Sequence, residues 1–392
     1  MSPTTPPDST ARPSAPFPRV VQAPMAGGPG TPELAAAVTN AGGLGFVAGG
    51  YLRADALVDQ LDRAEALTDG PLGVNLFVPE RTADGRAVGL DDAGLEELGR
   101  YRERLLADLP APAGADGRPG TKPEPAPLET AARPDDDDYP AKLAALLARP
   151  VPPAVVSFTF GLPTPAELES LRGRGIAAVA TVTCEDEALA AVRLGFDGLC
   201  VQGPEAGGHR GTHLSAQTPD ARPLARLLPD VVAAVREAGP AGARPVWIAA
   251  AGGIATADDV ARVLRAGADA AQAGSAFLLC REAGTGATHR EAVRGLGAEP
   301  DPTAVTQAFT GRPARGIVND FLRRHTDAAP ALYPAVHHLT RPLRGAAAAA
   351  GERERLHLWA GTRAGLAREA TAAEITAELL AGASIASDIT HG

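Results

Sequence analysis

The stretch GLCVQGPEAGGHRGTH, residues 198–213, decides the fold prediction for this chain. Its apolar start is typical of a short buried strand, and a Gly-Pro pair ends that strand. Two glycines then lead into His209. Because ligands bind at the carboxyl ends of strands in parallel α/β proteins, an imidazole in this loop is well placed for chemistry. A loop histidine is also commonly a surface residue, so the local pattern leaves both interpretations open.

The same succession of strand, break and helix repeats on both sides of this stretch. Strands are predicted at 19–23, 44–47, 72–76, 154–159, 177–182, 198–202, 246–250 and 270–273. Helices are predicted at 32–41, 53–67, 141–149, 164–174, 185–194, 223–238 and 256–266, with an eighth after 286. Eight such repeats predict an α/β fold with parallel strands, a TIM (β/α)₈ barrel. A doubly wound open sheet is the alternative.

Two regions depart from this succession. Residues 80–140 contain a charged helix near 91–108, a Pro/Gly-rich stretch and the acidic run 135–138, which we interpret as an insertion after strand 3 over the catalytic face. Acidic runs are usually solvated, so we do not expect the run to hold a divalent cation. After about residue 300 the pattern changes to helices and loops.

These boundaries divide the chain into three parts. Residues 1–18 are predicted to be a disordered tail, because Pro, Ser and Thr dominate them. Residues 19–300 form the predicted barrel, including the insertion. Residues 301–392 form a predicted C-terminal helical segment packed on the barrel.

Composition narrows the function classes. The chain has 392 residues, a formal net charge of −10 and no Lys/Arg-rich block, which argues against nucleic-acid and membrane-surface partners. Its three cysteines are scattered without CxxC pairs, so a disulfide framework and a zinc site are not expected. No export signal or membrane-spanning apolar run is visible. We expect a cytoplasmic protein, a monomer or homodimer, that acts on a small molecule.

Two glycine loops predict a phosphate site. Gly252 and Gly253 follow the seventh predicted strand, and the loop from Gln272 to Ser275 follows the eighth. Barrels commonly bind phosphate with these two loops, because glycine lets backbone N–H groups approach the oxygens. No GxGxxG motif follows the first strand, so a Rossmann nicotinamide site lacks support. Asn75, at the end of the third strand, can hydrogen-bond a planar heterocycle or cap a turn.

Several motifs together resemble one family. They are APMAGG (23–28), GVNLF (73–77), VSFTFGLP (156–163), QGPEAGGHRGTH (202–213), AAGGI (250–254), QAGSAFL (272–278), YPAVHHLTRPLR (333–344) and LHLWAG (356–361). In this order they resemble the bacterial class I nitronate monooxygenases, also called 2-nitropropane dioxygenases. The resemblance implies a TIM barrel that carries FMN and no metal. It also implies oxidation of alkyl nitronates, and of nitroalkanes, by dioxygen to a carbonyl compound and nitrite.

The resemblance also assigns roles to residues. It implies that FMN contacts Met25, Ala26, Asn75, Gln202, Gly207, Gly208, Gly252, Gly253, Gln272, Ala273, Gly274 and Ser275. Within that set, the amides of Asn75 and Gln202 bind the ring, and the loops after strands seven and eight hold the phosphate. Ser275 stands where many family members have Thr. His209 matches the active-site histidine, which either deprotonates a neutral nitroalkane or, as imidazolium, neutralises a bound nitronate.

Other reactive side chains have simpler interpretations. We expect loop capping by His213, structural roles for His337 and His338, core packing for Cys184 and Cys200, and docking of the C-terminal helix by Trp359. Arg210 either supplies positive potential or anchors its loop.

Three rival functions remain open from the sequence. An FMN-dependent enoyl reductase would share the barrel motifs and use NADH or NADPH. An enzyme like IMP dehydrogenase would need a catalytic cysteine in a flexible loop, and none of the three cysteines is so placed. A non-catalytic flavin- or phosphate-binding protein would keep the glycine loops without turnover.

Overall fold

The computed structural model describes residues 17–82, 85–109, 123–238, 245–297 and 303–388. The strands are β1 (Val20–Gln22), β2 (Gly45–Ala48), β3 (Leu72–Phe77), β4 (Val155–Thr159), β5 (Ala177–Val182), β6 (Gly198–Gln202), β7 (Gly208–His209), β8 (Trp247–Ala251), β9 (Ala270–Ala273), β10 (Thr303–Thr306) and β11 (Ala314–Ile317). The helices are α1 (Pro32–Asn40), α2 (Ala54–Glu65), α3 (Asp92–Ala107), α4 (Leu128–Ala131), α5 (Tyr139–Ala148), α6 (Pro165–Gly173), α7 (Glu185–Leu194), α8 (Leu224–Ala238), α9 (Ala257–Arg265), α10 (Ala287–Arg294), α11 (Asp320–His325), α12 (Ala335–Ala350) and α13 (Ala372–Asp388).

Eight of these strands form one parallel sheet in the order β1-β9-β8-β6-β5-β4-β3-β2. The two end strands meet through a parallel bridge between Val21 and Leu44. The Gln22 N–H donates to the Leu44 carbonyl, and the Leu44 N–H donates to the Val20 carbonyl, each at 3.0 Å. Because these bonds close the sheet on itself, the fold is the predicted TIM barrel and the doubly wound open sheet is excluded.

Local sequence explains where the barrel helices begin. Thr164 and Thr256 cap α6 and α9, and in each case the carboxylate at the third helical position bonds back to the cap. The barrel strands are buried along most of their length, and all six residues of β3 and all six of β5 are buried. Burial on both faces explains why the strands appear in the sequence as continuous apolar runs.

The acidic run 135–138 is partly exposed to solvent, and two of its carboxylates bond to the surrounding structure. Asp137 forms an ion pair with the buried Lys142, at 2.7 Å. Asp138 accepts a hydrogen bond from the Ala54 N–H, at the start of α2. A buried ammonium needs a carboxylate partner, and free N–H groups at a helix start need an acceptor. The run therefore joins the insertion to the barrel.

The C-terminal segment contains a small sheet that sequence analysis missed. Strands β10 and β11 pair antiparallel, and β11 pairs antiparallel with β7 in the loop that follows β6. The prediction of helices and loops alone after residue 300 is therefore wrong. The residues in β10 and β11 are few and mixed in polarity, so they lack a clear strand pattern. Helix α13 then returns to the barrel and packs against α9 and α1.

The predicted tail also extends too far. Residues 1–16 lie outside the described residues, but Phe17 packs against Trp247 with ring centroids 4.7 Å apart. Every helix among the described residues is too short or too polar to cross a bilayer.

Candidate active site

A cavity opens at the carboxyl ends of the barrel strands and contains about 1360 Å³ of empty space, counting its mouth. Twelve of the thirteen predicted site residues line it: Met25, Ala26, Asn75, Gln202, Gly207, Gly208, His209, Gly252, Gly253, Gln272, Gly274 and Ser275. The structure thus brings together residues that are up to 250 positions apart in the chain. We call the part formed by Gly252, Gly253, Gly274 and Ser275 the glycine end. The part around His209 is the histidine end.

Ala273 is the one predicted site residue that does not line the cavity. Its side chain is buried in the hydrophobic core, and it does not line the cavity. Successive side chains of a strand point to opposite faces, so Gln272 faces the cavity while its neighbour faces the helices. The Ala273 carbonyl accepts a hydrogen bond from the Ala23 N–H at 2.8 Å and holds β1 beside β9.

The glycine end has the open backbone that an anionic ligand requires. Gly252 and Gly253 have φ angles of 119° and 65°, which favour glycine. A Cβ atom on Gly207 would lie 2.5 Å from the Gly361 nitrogen, so a side chain has no room there. The Gly361 N–H donates to Ser275 Oγ at 2.9 Å. The Arg363 side chain lines the same cavity and supplies positive charge.

The two predicted ring-binding amides have different surroundings. Asn75 is buried, and its Nδ2 donates to Ser157 Oγ at 2.9 Å and to Thr159 Oγ1 at 3.1 Å. These bonds turn the amide nitrogen toward β4. Gln202 instead braces its own loop: its Nε2 donates to the His209 carbonyl at 2.9 Å, and its Oε1 accepts from the Gly211 N–H at 2.8 Å. Gln202 therefore also positions the histidine loop.

His209 lies in β7, and Thr310 Oγ1 is 2.9 Å from its Nε2. Aromatic rings surround the imidazole, with centroids 5.6 Å away in Phe160, 6.0 Å in Tyr333 and 5.5 Å in Trp359. Burial, aided by two nearby guanidinium groups, lowers the pKa of His209 to about 3. The imidazole is therefore neutral at neutral pH in the free protein. This charge state favours the proton-accepting role over the imidazolium role.

Arg312 is one of the two guanidinium groups that help to lower the pKa of His209. Its side chain is 1% exposed and its guanidinium lies 4.2 Å from the Phe160 ring centroid. Nη1 donates to the Thr212 carbonyl at 2.6 Å, and Nη2 donates to Ser215 Oγ at 2.9 Å. Burial lowers the pKa of Arg312 as well. The guanidinium therefore anchors the loop after His209 and adds positive charge near the imidazole. Because it already bonds to that loop, it is not free to bind a ligand.

Two further histidines, His289 and His357, line the cavity. Burial lowers the pKa of His289 to about 4 and that of His357 well below its usual value. Both are therefore neutral near pH 7. Among the described residues, no group of three or more His, Cys, Asp or Glu side chains is arranged to hold a metal ion.

Trp359 packs against the core cluster that includes residues of α12, in keeping with a docking role, and it also forms part of the cavity wall. Tyr51 and Phe160 were not predicted as site residues, although they also line the cavity. Their positive φ angles, 66° and 75°, are unusual for residues with side chains. Phe160 belongs to the motif VSFTFGLP (156–163), but the sequence of that motif does not indicate a role for the aromatic ring.

The remaining side chains behave as structural residues. Arg210 is 1% exposed and its Nη1 donates to the Gln202 carbonyl at 2.9 Å, so it anchors the loop. His213 Nε2 is 3.0 Å from the Thr181 carbonyl, which secures the end of the same loop. Burial raises the pKa of Cys200 to about 12, so its thiol is not a ready nucleophile.

A closed parallel barrel with a cavity at the carboxyl ends of its strands is typical of α/β-barrel enzymes. The family profile of the nitronate monooxygenases matches residues 15–382. A probable nitronate monooxygenase from Bacillus subtilis (strain 168) is 33% identical over 347 residues, which cover 87% of this chain and 89% of the relative. The chain belongs to the nitronate monooxygenase family, whose members are flavin-dependent oxidoreductases.

Solved structures agree with this assignment. A nitroalkane oxidase from Streptomyces ansochromogenes has 40% sequence identity and a TM-score of 0.79, over 96% of this chain and 98% of that chain. FabK from Thermotoga maritima has 22% identity and a TM-score of 0.66, with 96% of each chain covered. At this identity, the likeness to FabK shows a shared fold only.

Proposed function

We propose that this protein uses FMN to oxidise alkyl nitronates, and the neutral nitroalkanes from which they form, with dioxygen to a carbonyl compound and nitrite. The observation that carries the proposal is a neutral histidine at one end of a cavity whose other end is lined with glycine. Membership of the nitronate monooxygenase family supports the nitronate as a substrate. Similarity to a nitroalkane oxidase supports the neutral nitroalkane.

The residues present fit FMN. The backbone of Gly252 and Gly253 has positive φ angles and carries no side chain into the cavity, which leaves room for a phosphate. Arg363, which also forms an ion pair with Asp259, lines the same cavity. Gly252, Gly253, Gln272, Gly274 and Ser275 would hold the phosphate, and Met25, Ala26, Asn75, Gln202 and the glycines 207 and 208 would surround the ring system. When bound, FMN would supply a ring that accepts electrons from the substrate.

His209 would remove the α-proton of a neutral nitroalkane. The C–H electron pair would stay on the substrate and delocalise into the nitro group, giving the nitronate. Positive charges on the buried Arg312 and Arg344 act at this position, as their effect on the His209 pKa shows. They would stabilise the developing anion in a site of low dielectric. The rings of Phe160 and Trp359, which line the cavity, would exclude water and contact the alkyl chain.

The proposal is tested on purified protein. The absorbance spectrum and the released cofactor show whether FMN is bound, and oxygen uptake and nitrite release are followed with nitroethane, ethyl nitronate and propionate 3-nitronate. We expect yellow protein and nitrite from at least one nitro compound. Protein that remains colourless after incubation with FMN would overturn the proposal. Rapid anaerobic bleaching by NADH or NADPH, without nitrite formation, would instead favour the enoyl-type reductase.

A further inference from the structure

The hydroxyl group of Thr310 has three polar neighbours. It donates to the Arg312 carbonyl at 3.2 Å and lies 3.4 Å from the Arg312 N–H, which points toward it. The third neighbour is His209 Nε2, at 2.9 Å. Thr310 and Arg312 are each 1% exposed, so water does not replace these partners.

A threonine hydroxyl has one proton and two lone pairs. A buried carbonyl that loses its donor costs free energy, so the hydroxyl proton remains on the Arg312 carbonyl. Both lone pairs of Oγ1 then accept hydrogen bonds, one from the Arg312 N–H and one from His209. Because His209 must donate through Nε2, the proton of the neutral imidazole lies on Nε2.

We propose that Thr310 is a positioning residue that holds His209 as the Nε2–H tautomer and leaves the lone pair of Nδ1 for the α-proton of the substrate. This inference rests on the proposed function. Nδ1 makes no hydrogen bond to the protein among the described residues, and the His209 ring lines the cavity. Nδ1 is thus the ring nitrogen that can meet a substrate.

The proton transfer balances with this arrangement. The substrate C–H bond breaks, its electron pair remains in the nitronate, and a new N–H bond forms at Nδ1. The resulting imidazolium keeps its Nε2–H bond to Thr310 and stands beside the new anion. Thr310 accepts a hydrogen bond before and after transfer, so it need not rotate during the step.

The same segment also holds the backbone of His209. Ala314 pairs with His209 between β11 and β7, and the Arg210 N–H donates to the Pro313 carbonyl at 2.8 Å. Residues 310–314 therefore set both the position of the strand and the direction of the ring. Strand position and ring tautomer are consequently coupled through one short stretch of chain.

Nuclear magnetic resonance tests the tautomer without any turnover. The FMN-loaded protein is labelled with ¹⁵N in its histidine rings, and long-range ¹H–¹⁵N correlations distinguish protonated from unprotonated ring nitrogens. The His209 signals are those lost in His209→Asn. We expect a protonated Nε2 in the wild type and in Thr310→Ser, which keeps the hydroxyl. In Thr310→Val we expect protonation of Nδ1 or a mixture. A wild-type signal with the proton on Nδ1 overturns the proposal.

Kinetics provides the second test. With nitroethane, we expect kcat/KM of Thr310→Val to fall about 10- to 100-fold, as when the partner that orients a functional histidine is removed. Thr310→Ser should remain close to wild type. With preformed ethyl nitronate the loss should be smaller, because no α-proton is removed. A folded, FMN-loaded Thr310→Val protein with wild-type kcat/KM for nitroethane overturns the proposal.

These outcomes separate the two proposals. Full nitroethane turnover by His209→Asn would overturn the role of His209 as base, and the tautomer assignment with it, but not the proposed reaction. Protein that neither binds FMN nor forms nitrite would overturn the proposed function itself. Loss of turnover in His209→Asn, together with an unaffected Thr310→Val, would overturn the tautomer assignment alone.

Discussion

The glycine end and the histidine end of the cavity are built in different ways. The glycine end comes from two loops that directly follow β8 and β9, so each loop is placed by the strand before it. The histidine end gathers His209 from β7, Phe160 from the loop after β4, and Thr310 and Trp359 from the C-terminal segment. The barrel strands thus place the glycine loops, and Gly361 of the C-terminal segment adds a hydrogen bond to Ser275. The surroundings of His209 depend more strongly on the C-terminal segment, because Thr310 and Trp359 both belong to it.

This comparison predicts that mutations can impair FMN binding at the glycine end and catalysis at the histidine end separately. The largest effect is expected for His209→Asn, which removes the base at the histidine end. We expect kcat/KM for nitroethane to fall by about 10²- to 10⁴-fold, the usual contribution of a general base, while FMN content remains. Oxygen uptake and flavin absorbance measure the two quantities. The matched control is His338→Asn, outside this cavity, which should retain activity. Loss of FMN with undiminished turnover per bound flavin would contradict the separation.

The next effect is expected for Arg312→Met, which keeps an unbranched apolar stem but removes the guanidinium and its charge. The Thr212 carbonyl and Ser215 Oγ lose their donors, so we expect the free energy of unfolding to fall by about 2–4 kcal/mol in urea denaturation. Arg323→Met is the control, because Arg323 forms an exposed ion pair with Asp320, and it should change stability by less than about 1 kcal/mol. Equal effects of the two variants would show that the histidine end does not depend on this buried charge.

A smaller effect is expected at the glycine end for Gly252→Ala. Alanine at a φ of 119° is strained by about 1–3 kcal/mol, and its Cβ would lie 3.1 Å from the Ala206 nitrogen. We expect the Kd for FMN to rise about tenfold or more, measured by titration of the cofactor-free protein. Gly173→Ala, in open space at the end of α6, should bind FMN like the wild type. Similar affinity in both variants would argue against phosphate binding at this loop.

The smallest expected effect concerns the pH profile of kcat/KM, in which we expect no inflection at the ordinary pKa of histidine. Because the pKa of His209 is lowered to about 3, its neutral form persists far below the ordinary value of 6.5. We expect kcat/KM for nitroethane to show no inflection near pH 6.5 when the pH is lowered from 7 to 5. Such an inflection, absent in His209→Asn, would mean that the imidazole is less buried and closer to solution behaviour.

The same lowered pKa values predict how stability depends on pH. His209, His289 and His357 are neutral in the folded protein, but unfolded histidines take up protons below about pH 6.5. The unfolded state then binds more protons, so stability is greatest above 6.5 and falls as the pH falls toward the folded values. We expect a lower Tm at pH 5 than at pH 7.5. A Tm that is constant over this interval would contradict the lowered values.

Much of the fold was predictable from sequence because barrel elements are local. Continuous apolar runs and helix caps such as Thr164 and Thr256 lie within a few residues of the structure they specify. The predicted strands and helices consequently match the observed ones within about two residues. The features that the sequence did not reveal have distant partners: β11 pairs with β7, and Asp138 accepts a hydrogen bond from the start of α2. No short window of sequence contains these partners.

The sequence by itself determined the barrel, the glycine loops after β8 and β9, and the presence of a histidine beyond β6. Only the tertiary structure decided that Ala273 faces the core, that Trp359 lines the cavity, and that Thr310 contacts a residue 101 positions away. The reason is physical. Backbone conformation follows from neighbouring residues, whereas the protonation of His209 depends on burial and on charges that folding brings from far along the chain.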